Sequence, residues 1–185
     1  HVDYGVDFHS GGASRANFPQ VRCTFNEHIN LKLAKAFGAP VTLNSSLISK
    51  SFRWAAQKKG KTVIVYETGE SMRMDEKGIE IAIDGSRRLM QHLNMLQSRE
   101  LYHAQTEIYK KSRWVRARNA GIFQPKFELG DHIQKRQVLG YITDPYGKSV
   151  SKVVVTRSGR IIGLNNNPII HKGDAVAHLA YDLKE

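Results

Sequence analysis

The feature that most constrains the fold is a change of sequence pattern near Ser112. Before this point, short runs of β-branched residues alternate with stretches of helical periodicity, which is typical of layered α/β structure. After it, apolar residues come in short pairs separated by turn residues, which is the spacing of an all-β fold. The sequence therefore predicts an α/β region in residues 1–111 and an all-β region in residues 112–185.

The first region has the order strand, helix, strand, helix, strand, helix. The run at residues 62–66 is continuously β-branched or aromatic, which indicates a strand inside the sheet that is covered on both faces. Gly38 and Gly60 each follow a helical stretch, and glycine is favoured directly after the last helical residue. We expect a buried strand at residues 2–8, strands at 40–43 and 62–66, helices at 29–37 and 51–59, and one or two helices within 78–96.

The second region carries a short repeat. Gly130-Asp131 and Gly173-Asp174 each form a predicted turn that leads into an apolar strand. Two copies of such a unit indicate a small barrel or sandwich with internal pseudo-symmetry.

Composition places the chain among folded globular proteins. Its 185 residues are 41% hydrophobic and 24% charged, which excludes wholesale disorder. No run approaches the roughly 18 apolar residues of a membrane-spanning helix, and the first residues lack the pattern of a signal peptide. The single cysteine, Cys23, excludes an internal disulfide and has no activating neighbour in the sequence. We therefore predict a cytoplasmic protein in which Cys23 is a packed residue.

The formal net charge of +11 raises the question of an anionic partner. The basic clusters are short and mixed with apolar residues, which is more typical of a solvated face than of a nucleic-acid-binding arm. We therefore expect attraction for a small anionic substrate, no nucleic acid and no membrane, and leave a homo-oligomer open.

Two residues that can do chemistry stand at the ends of predicted strands, His9 and Glu67. If the two strands are parallel neighbours, both residues lie at the same edge of the sheet. A neutral imidazole is a good zinc ligand, and a carboxylate is a suitable general base. Asp7 shares a strand face with His9 and is a candidate to orient its ring, and the alternative for Asp7 is an ordinary salt bridge. One histidine and one glutamate do not complete a zinc site, so a hydrogen-bonded histidine at a strand end stays an alternative.

The segment between these strands contains further candidates. Residues 11–22 have the composition of a loop, and Arg15, Asn17 and Arg22 are suited to binding a carboxylate by hydrogen bonds. The alternative is an ordinary surface loop. The other histidines form no pair with the spacing of metal ligands, and we expect them to be structural or surface groups: His28, His92, His103, His132, His171 and His178.

The order of these motifs resembles the succinylglutamate desuccinylase/aspartoacylase family of zinc-dependent amidohydrolases. The resemblance rests on the following elements: Val6-Asp7-Phe8-His9-Ser10-Gly11-Gly12, then Arg15, Asn17, Pro19 and Arg22, then Tyr66-Glu67-Thr68-Gly69. It implies that His9 is the third zinc ligand and that Glu67 is the general base. It also implies an α/β fold, the C-terminal half of a zinc carboxypeptidase-like αβα domain followed by a small all-β barrel-sandwich domain.

The resemblance implies hydrolysis of the amide bond of a small N-acyl amino acid or related compound. Zinc would polarise the carbonyl and activate a water molecule. Glu67 would take a proton from this water and then deliver it to the departing amine. The family's first two zinc ligands lie in a His-Gly-x-Glu motif before the Asp-x-His strand, and no such motif precedes His9 here. We therefore expect an incomplete catalytic domain that needs an N-terminal segment. The alternative is a non-catalytic binding or oligomerisation module that keeps the fold.

The second region also resembles biotinyl and lipoyl carrier barrels. Lys148 and Lys152 lie between the two repeats, but neither is flanked by the Met-Lys-Met or Asp-Lys-Ala signature of such carriers. We therefore expect a covering or oligomerisation role for this region.

Overall fold

The structure is a computed structural model that describes residues 2–97 and 104–184. In this part of the chain the helices are α1 (His28–Phe37), α2 (Phe52–Lys58) and α3 (Glu76–His92). The strands before residue 98 are β1 (Tyr4–Gly11), β2 (Arg15–Cys23), β3 (Val41–Asn44) and β4 (Thr62–Glu70). The later strands are β5 (Glu107–Arg116), β6 (Gly121–Pro125), β7 (His132–Ile133), β8 (Val138–Thr143), β9 (Val150–Val154), β10 (Gly159–Asn165), β11 (Ile169–Ile170) and β12 (Ala175–Leu183).

Eight strands form one mixed sheet in the order β1-β4-β2-β3-β5-β12-β10-β7. Strand β1 is parallel to β4, as predicted, whereas β2 is antiparallel to β4 and parallel to β3. Strand β10 also pairs with β2. Five strands therefore form a closed ring in the order β2-β3-β5-β12-β10. This closure brings strands from the end of the chain against the strands that carry the predicted site.

A second, four-stranded sheet has the order β11-β6-β8-β9. Strand β5 runs through Ser112 and pairs with β3 on one side and β12 on the other. The domain boundary near Ser112 stays a prediction.

The first hydrophobic core lies between the sheet and two helices. Helices α1 and α3 bury their apolar residues against β2 and β4, and the Phe37 ring packs 5.1 Å from the ring of Tyr66. A Cβ on Gly85 of α3 would lie 2.5 Å from a ring carbon of Phe37. Glycine at this position therefore allows the two helices to approach closely.

The helix ends follow sequence signals. Helix α1 ends at Gly38, which has φ 70° and donates its N–H to Ala34 O. The Ser51 side chain accepts a hydrogen bond from Trp54 N at the start of α2, and Asp75 accepts one from Gly78 N at the start of α3. Helix α3 is one helix, where the sequence left one or two open.

The second core lies within the later strands, and the two predicted turns have the same geometry there. Gly130 and Gly173 have φ 91° and 95°, a conformation that favours glycine. The carboxylates of Asp131 and Asp174 each accept a 2.7 Å hydrogen bond from the backbone N–H three residues earlier. The short repeat seen in the sequence is therefore also a repeat of turn structure. The core comprises Ala117, Phe123, Phe127, Ile133, Leu139, Ile142, Val153, Val155, Ile161, Ile170, Val176, Ala177 and Leu179.

Two sequence predictions are wrong. The first strand is an edge strand rather than a buried one, and Phe8 is 53% exposed. Most of residues 11–22 belong to β2, not to a loop. Pro19 lies where the register of β2 against β4 shifts, and Asn17 and Gln20 are buried polar residues. A proline and buried amides are unusual inside a strand, so this segment has the composition of a loop.

Within the described residues, none of the helices has the length and apolar character needed to cross a bilayer.

Candidate active site

The candidate site is built around Glu67, near the end of β4. Its Oε2 accepts a 2.7 Å hydrogen bond from Asn17 Nδ2, and its Oε1 lies 3.3 Å from Arg22 Nη1. Both partners come from β2, the antiparallel neighbour. The Glu67 side chain is 14% exposed. The carboxylate is therefore held in place at both oxygens while part of it still meets solvent.

A buried polar network lies next to these contacts. Gln20 lies opposite Glu67 across the strand pair, is fully buried, and donates to Ile162 O at 3.0 Å. Arg22 Nε donates to Gln20 Oε1 at 3.4 Å. Arg53 donates to Arg22 O, Ser45 Oγ and Ser46 O, and burial lowers the pKa of its guanidinium. Arg53 therefore fixes the backbone behind the site and is a structural residue.

His9 lies beside Glu67, as the sequence predicts. The two residues are directly opposed in the parallel β1–β4 pair. His9 Nε2 lies 3.0 Å from Asp7 Oδ2, which is the contact expected of a carboxylate that orients the ring. Because Asp7 takes Nε2, the nitrogen of His9 that is available to a ligand is Nδ1. The His9 side chain is 49% exposed and accessible to a metal ion.

The described residues do not form a complete zinc site. A catalytic zinc normally has three protein ligands and a water molecule. Among residues 2–97 and 104–184, no group of three or more histidine, cysteine, aspartate or glutamate side chains has the arrangement of a metal site. His9 is thus a single suitable donor with an orienting partner, and the remaining ligands are not found in this part of the chain.

The predicted carboxylate-binding residues separate into two groups. Asn17 and Arg22 contact Glu67, as described above. Arg15, in contrast, is exposed, and its guanidinium lies 5.1 Å from the centre of the Trp114 ring. Arg73 is also exposed, and it pairs with Glu70 at 3.2 Å. Of these arginines, Arg22 is the one in contact with Glu67.

The structure also places His178 near the site. No local sequence pattern indicates this proximity. Asn17, Gly163, His178 and Trp114 are opposed in turn across β2, β10, β12 and β5. His178 is 6% exposed and stacks on the Trp114 ring, with 4.5 Å between the ring centres and 11° between the ring planes. Its Nε2 lies 3.0 Å from Ser112 Oγ. Burial, followed by the charges of Arg22 and Arg15, lowers the pKa of His178 to about 3, so the ring is neutral.

The remaining candidates lie away from Glu67. Cys23 is 1% exposed, and burial raises the pKa of its thiol to about 12, which confirms the prediction of a packed residue. The side chains of His28, His92, His132 and His171 are exposed, and His103 lies outside the described residues.

The fold and site describe a mixed α/β protein with a positioned carboxylate next to an oriented histidine. Comparison with known families gives a match to the succinylglutamate desuccinylase/aspartoacylase catalytic domain over residues 1–93, half of the chain. The chain belongs to this family. A comparison with curated protein sequences gives no significant match.

Solved structures share the fold. One is the ectoine utilization protein EutE (DoeB) from Ruegeria pomeroyi in a product-bound state, with 24% identity and a TM-score of 0.84 over 97% of this chain and 58% of that chain. A second is a succinylglutamate desuccinylase/aspartoacylase from Rhodobacter sphaeroides, with 20% identity and a TM-score of 0.82 over 97% of this chain and 59% of that chain. A third is an aspartoacylase family protein from Mesorhizobium loti, with 21% identity and a TM-score of 0.79 over 99% of this chain and 64% of that chain. This chain thus spans less than two thirds of each relative's length.

Proposed function

We propose that the chain is the Glu67-bearing part of a zinc-dependent deacylase that cleaves the amide bond of a small N-acyl amino acid or related compound. The observation that carries the proposal is the pairing of His9 with Glu67 across two parallel strands, each with its own positioning partner. Family membership supports the same reaction class.

Each residue has a defined role in this proposal. Glu67 takes a proton from the attacking water and delivers it to the departing amine. Asn17 and Arg22 hold the carboxylate in one orientation, so that the proton is transferred at a fixed position. His9 is one zinc ligand, and Asp7 orients its ring.

In this proposal the other two zinc ligands lie outside the described residues, in an N-terminal segment. The chain alone is then inactive or nearly so. In the same proposal, residues 1–111 are the C-terminal half of a zinc carboxypeptidase-like αβα domain and residues 112–185 are a barrel-sandwich domain. The net charge of +11 favours an anionic substrate.

The test separates metal binding from proton transfer. We expect that in a form of the protein that retains zinc, His9→Ala removes the metal, as measured by elemental mass spectrometry. Glu67→Gln keeps the metal but lowers the rate of hydrolysis of N-acetyl and N-succinyl amino acids by about 10²–10⁴-fold. His28→Ala, which changes an exposed histidine on α1, is the matched control and retains both properties. Full hydrolysis by Glu67→Gln would contradict the proposal.

A second candidate is a non-catalytic binding module that keeps the fold without a metal site. It is favoured by the finding that the described residues contain no group of three metal-ligating side chains. Absence of zinc and of hydrolysis in every form of the protein, including one extended at its N-terminus, would establish this candidate instead.

A further inference from the structure

One ring nitrogen of His178 is buried and lacks a hydrogen-bond partner within the part of the chain that the structure describes. Its Nδ1 is closed off from solvent and has no hydrogen-bond partner among the described residues, whereas Nε2 contacts Ser112. A buried polar atom left unpaired costs stability, and phenylalanine would fill the same space and stack on Trp114 without this cost. Packing alone therefore gives no reason for a histidine at this position.

His178 lies close to Asn17, one of the two residues that hold Glu67. A Cβ built on Gly163 would lie 3.1 Å from His178 Cβ, 3.3 Å from Asn17 Oδ1 and 3.4 Å from Trp114 Cη2. These three side chains thus meet at one point above Gly163. Because Asn17 also donates to Glu67, one side chain separates the Trp114–His178 stack from the proposed general base.

The charges that act on His178 point to an anion. They come from two arginines, Arg22 and Arg15. Arg22 is paired with Glu67, whereas the guanidinium of Arg15 lies over the Trp114 ring and is exposed. An exposed guanidinium can form a bidentate contact with a carboxylate.

We propose that His178 is a substrate-binding residue that donates its Nδ1–H to a carboxylate group of the substrate, with Arg15 as the second partner of that carboxylate. In the bound state the Ser112 hydroxyl donates to Nε2, which leaves the proton on Nδ1. Nδ1 is closed off from solvent in the structure, so the proposal requires that Arg15 leaves the Trp114 ring and that the site opens as the carboxylate binds. This inference rests on the proposed function and extends it, because it assigns the specificity for a carboxylate to strands β5 and β12.

Binding can be measured without turnover. The chain has two tryptophans, so Trp54→Phe leaves Trp114 as the single emitter next to His178. In this background, titration with succinate is expected to change the emission saturably and to shift the His178 imidazole nitrogens to the Nδ1–H form in ¹⁵N NMR. Succinamide, the uncharged analogue, is the matched ligand and is expected to give neither change.

The decisive variant is His178→Phe, with succinate affinity measured by calorimetry. We expect the dissociation constant to rise about tenfold or more, because a hydrogen bond to a charged group is lost. The thermal midpoint should not fall, because the ring stack is kept. His28→Phe is the control and should bind as the parent does. Binding of succinate by His178→Phe within about twofold of the parent, or no saturable binding by the parent, would overturn the inference.

The outcome is independent of the catalytic proposal. Failure of the proposed function would appear as unchanged hydrolysis by Glu67→Gln, whereas failure of this inference would appear as unchanged binding by His178→Phe.

Discussion

The two faces of the sheet around β4 differ in what covers them. Tyr66 points to the face under α1 and α3, where it packs on Phe37 and is 1% exposed. Its neighbour Glu67 points to the opposite face, toward Asn17 and Arg22. One face is an apolar core, and the other is a polar network. Gln20 in this network is as fully buried as Tyr66 in the core.

The difference shows how one strand serves both stability and chemistry. Side chains alternate along a strand, so a buried strand can place every second residue in a core and the others in a site. On the helix side, apolar area stabilises the fold. On the other side, stability depends on the pairing of polar groups, and among residues 2–97 and 104–184 the buried Nδ1 of His178 has no hydrogen-bond partner.

The largest effect is expected on the helix side. Phe37→Ala removes the ring that fills the space between Gly85 and Tyr66. We expect the free energy of unfolding to fall by about 3–5 kcal/mol, as measured by urea denaturation. Phe52→Ala, at a ring that is 63% exposed, should stay within about 0.5 kcal/mol of the parent. Similar losses for the two variants would contradict the assignment of the first core.

An intermediate effect is expected from His178 on the polar face. Its pKa is about 3 in the folded protein and 6.5 in an unfolded chain, so between these values the unfolded state binds more protons. The free energy of unfolding is therefore unaffected by this group above pH 6.5, and it decreases as the pH falls from 6.5 toward about 3. The slope is at most about 1.4 kcal/mol per pH unit, or about 2 kcal/mol by pH 5.

The measurement compares urea denaturation of the parent and His178→Phe between pH 7 and pH 5. The variant should lack this part of the pH dependence, whereas His28→Phe, at an exposed histidine, should retain it. Parallel pH profiles for the parent and His178→Phe would show that the ring is not held neutral by its surroundings.

The smallest effect is expected from a single hydroxyl on the apolar face. Tyr66 donates its O–H to Gly78 O at 2.8 Å, and burial raises the pKa of this phenol to about 12. Tyr66→Phe keeps the ring contact with Phe37 and leaves Gly78 O without this donor. We expect a loss of about 1 kcal/mol in the free energy of unfolding. A loss as large as that of Phe37→Ala would show that polar pairing dominates this face as well.

Local patterns in the sequence predicted much of the α/β region. The β-branched run before Glu67 and the glycine after α1 each determine their element through nearby residues. Strand β2 was missed because its polar residues are paired by distant strands. Gln20 donates to Ile162 and Asn17 to Glu67, and neither partner is close in sequence.

The site was predicted in part for the same reason. His9 and Glu67 lie near the ends of regular strands, so their side-by-side placement followed from the parallel arrangement. His178 has no such signal, because its proximity to Asn17 depends on the pairing of β10 with both β2 and β12. The position of Arg15 over Trp114 likewise depends on strands that are far apart in the chain.

The closure of β10 onto β2 has a consequence for how this protein can evolve. Recombination between relatives that exchanges the segment after Ser112 would replace the strand neighbours of Asn17 and Gln20. An insertion of one residue in β12 would turn His178 to the other side of its strand and remove it from Trp114. A change in the later strands therefore acts on the site through the residues that these strands support, Asn17 and Gln20.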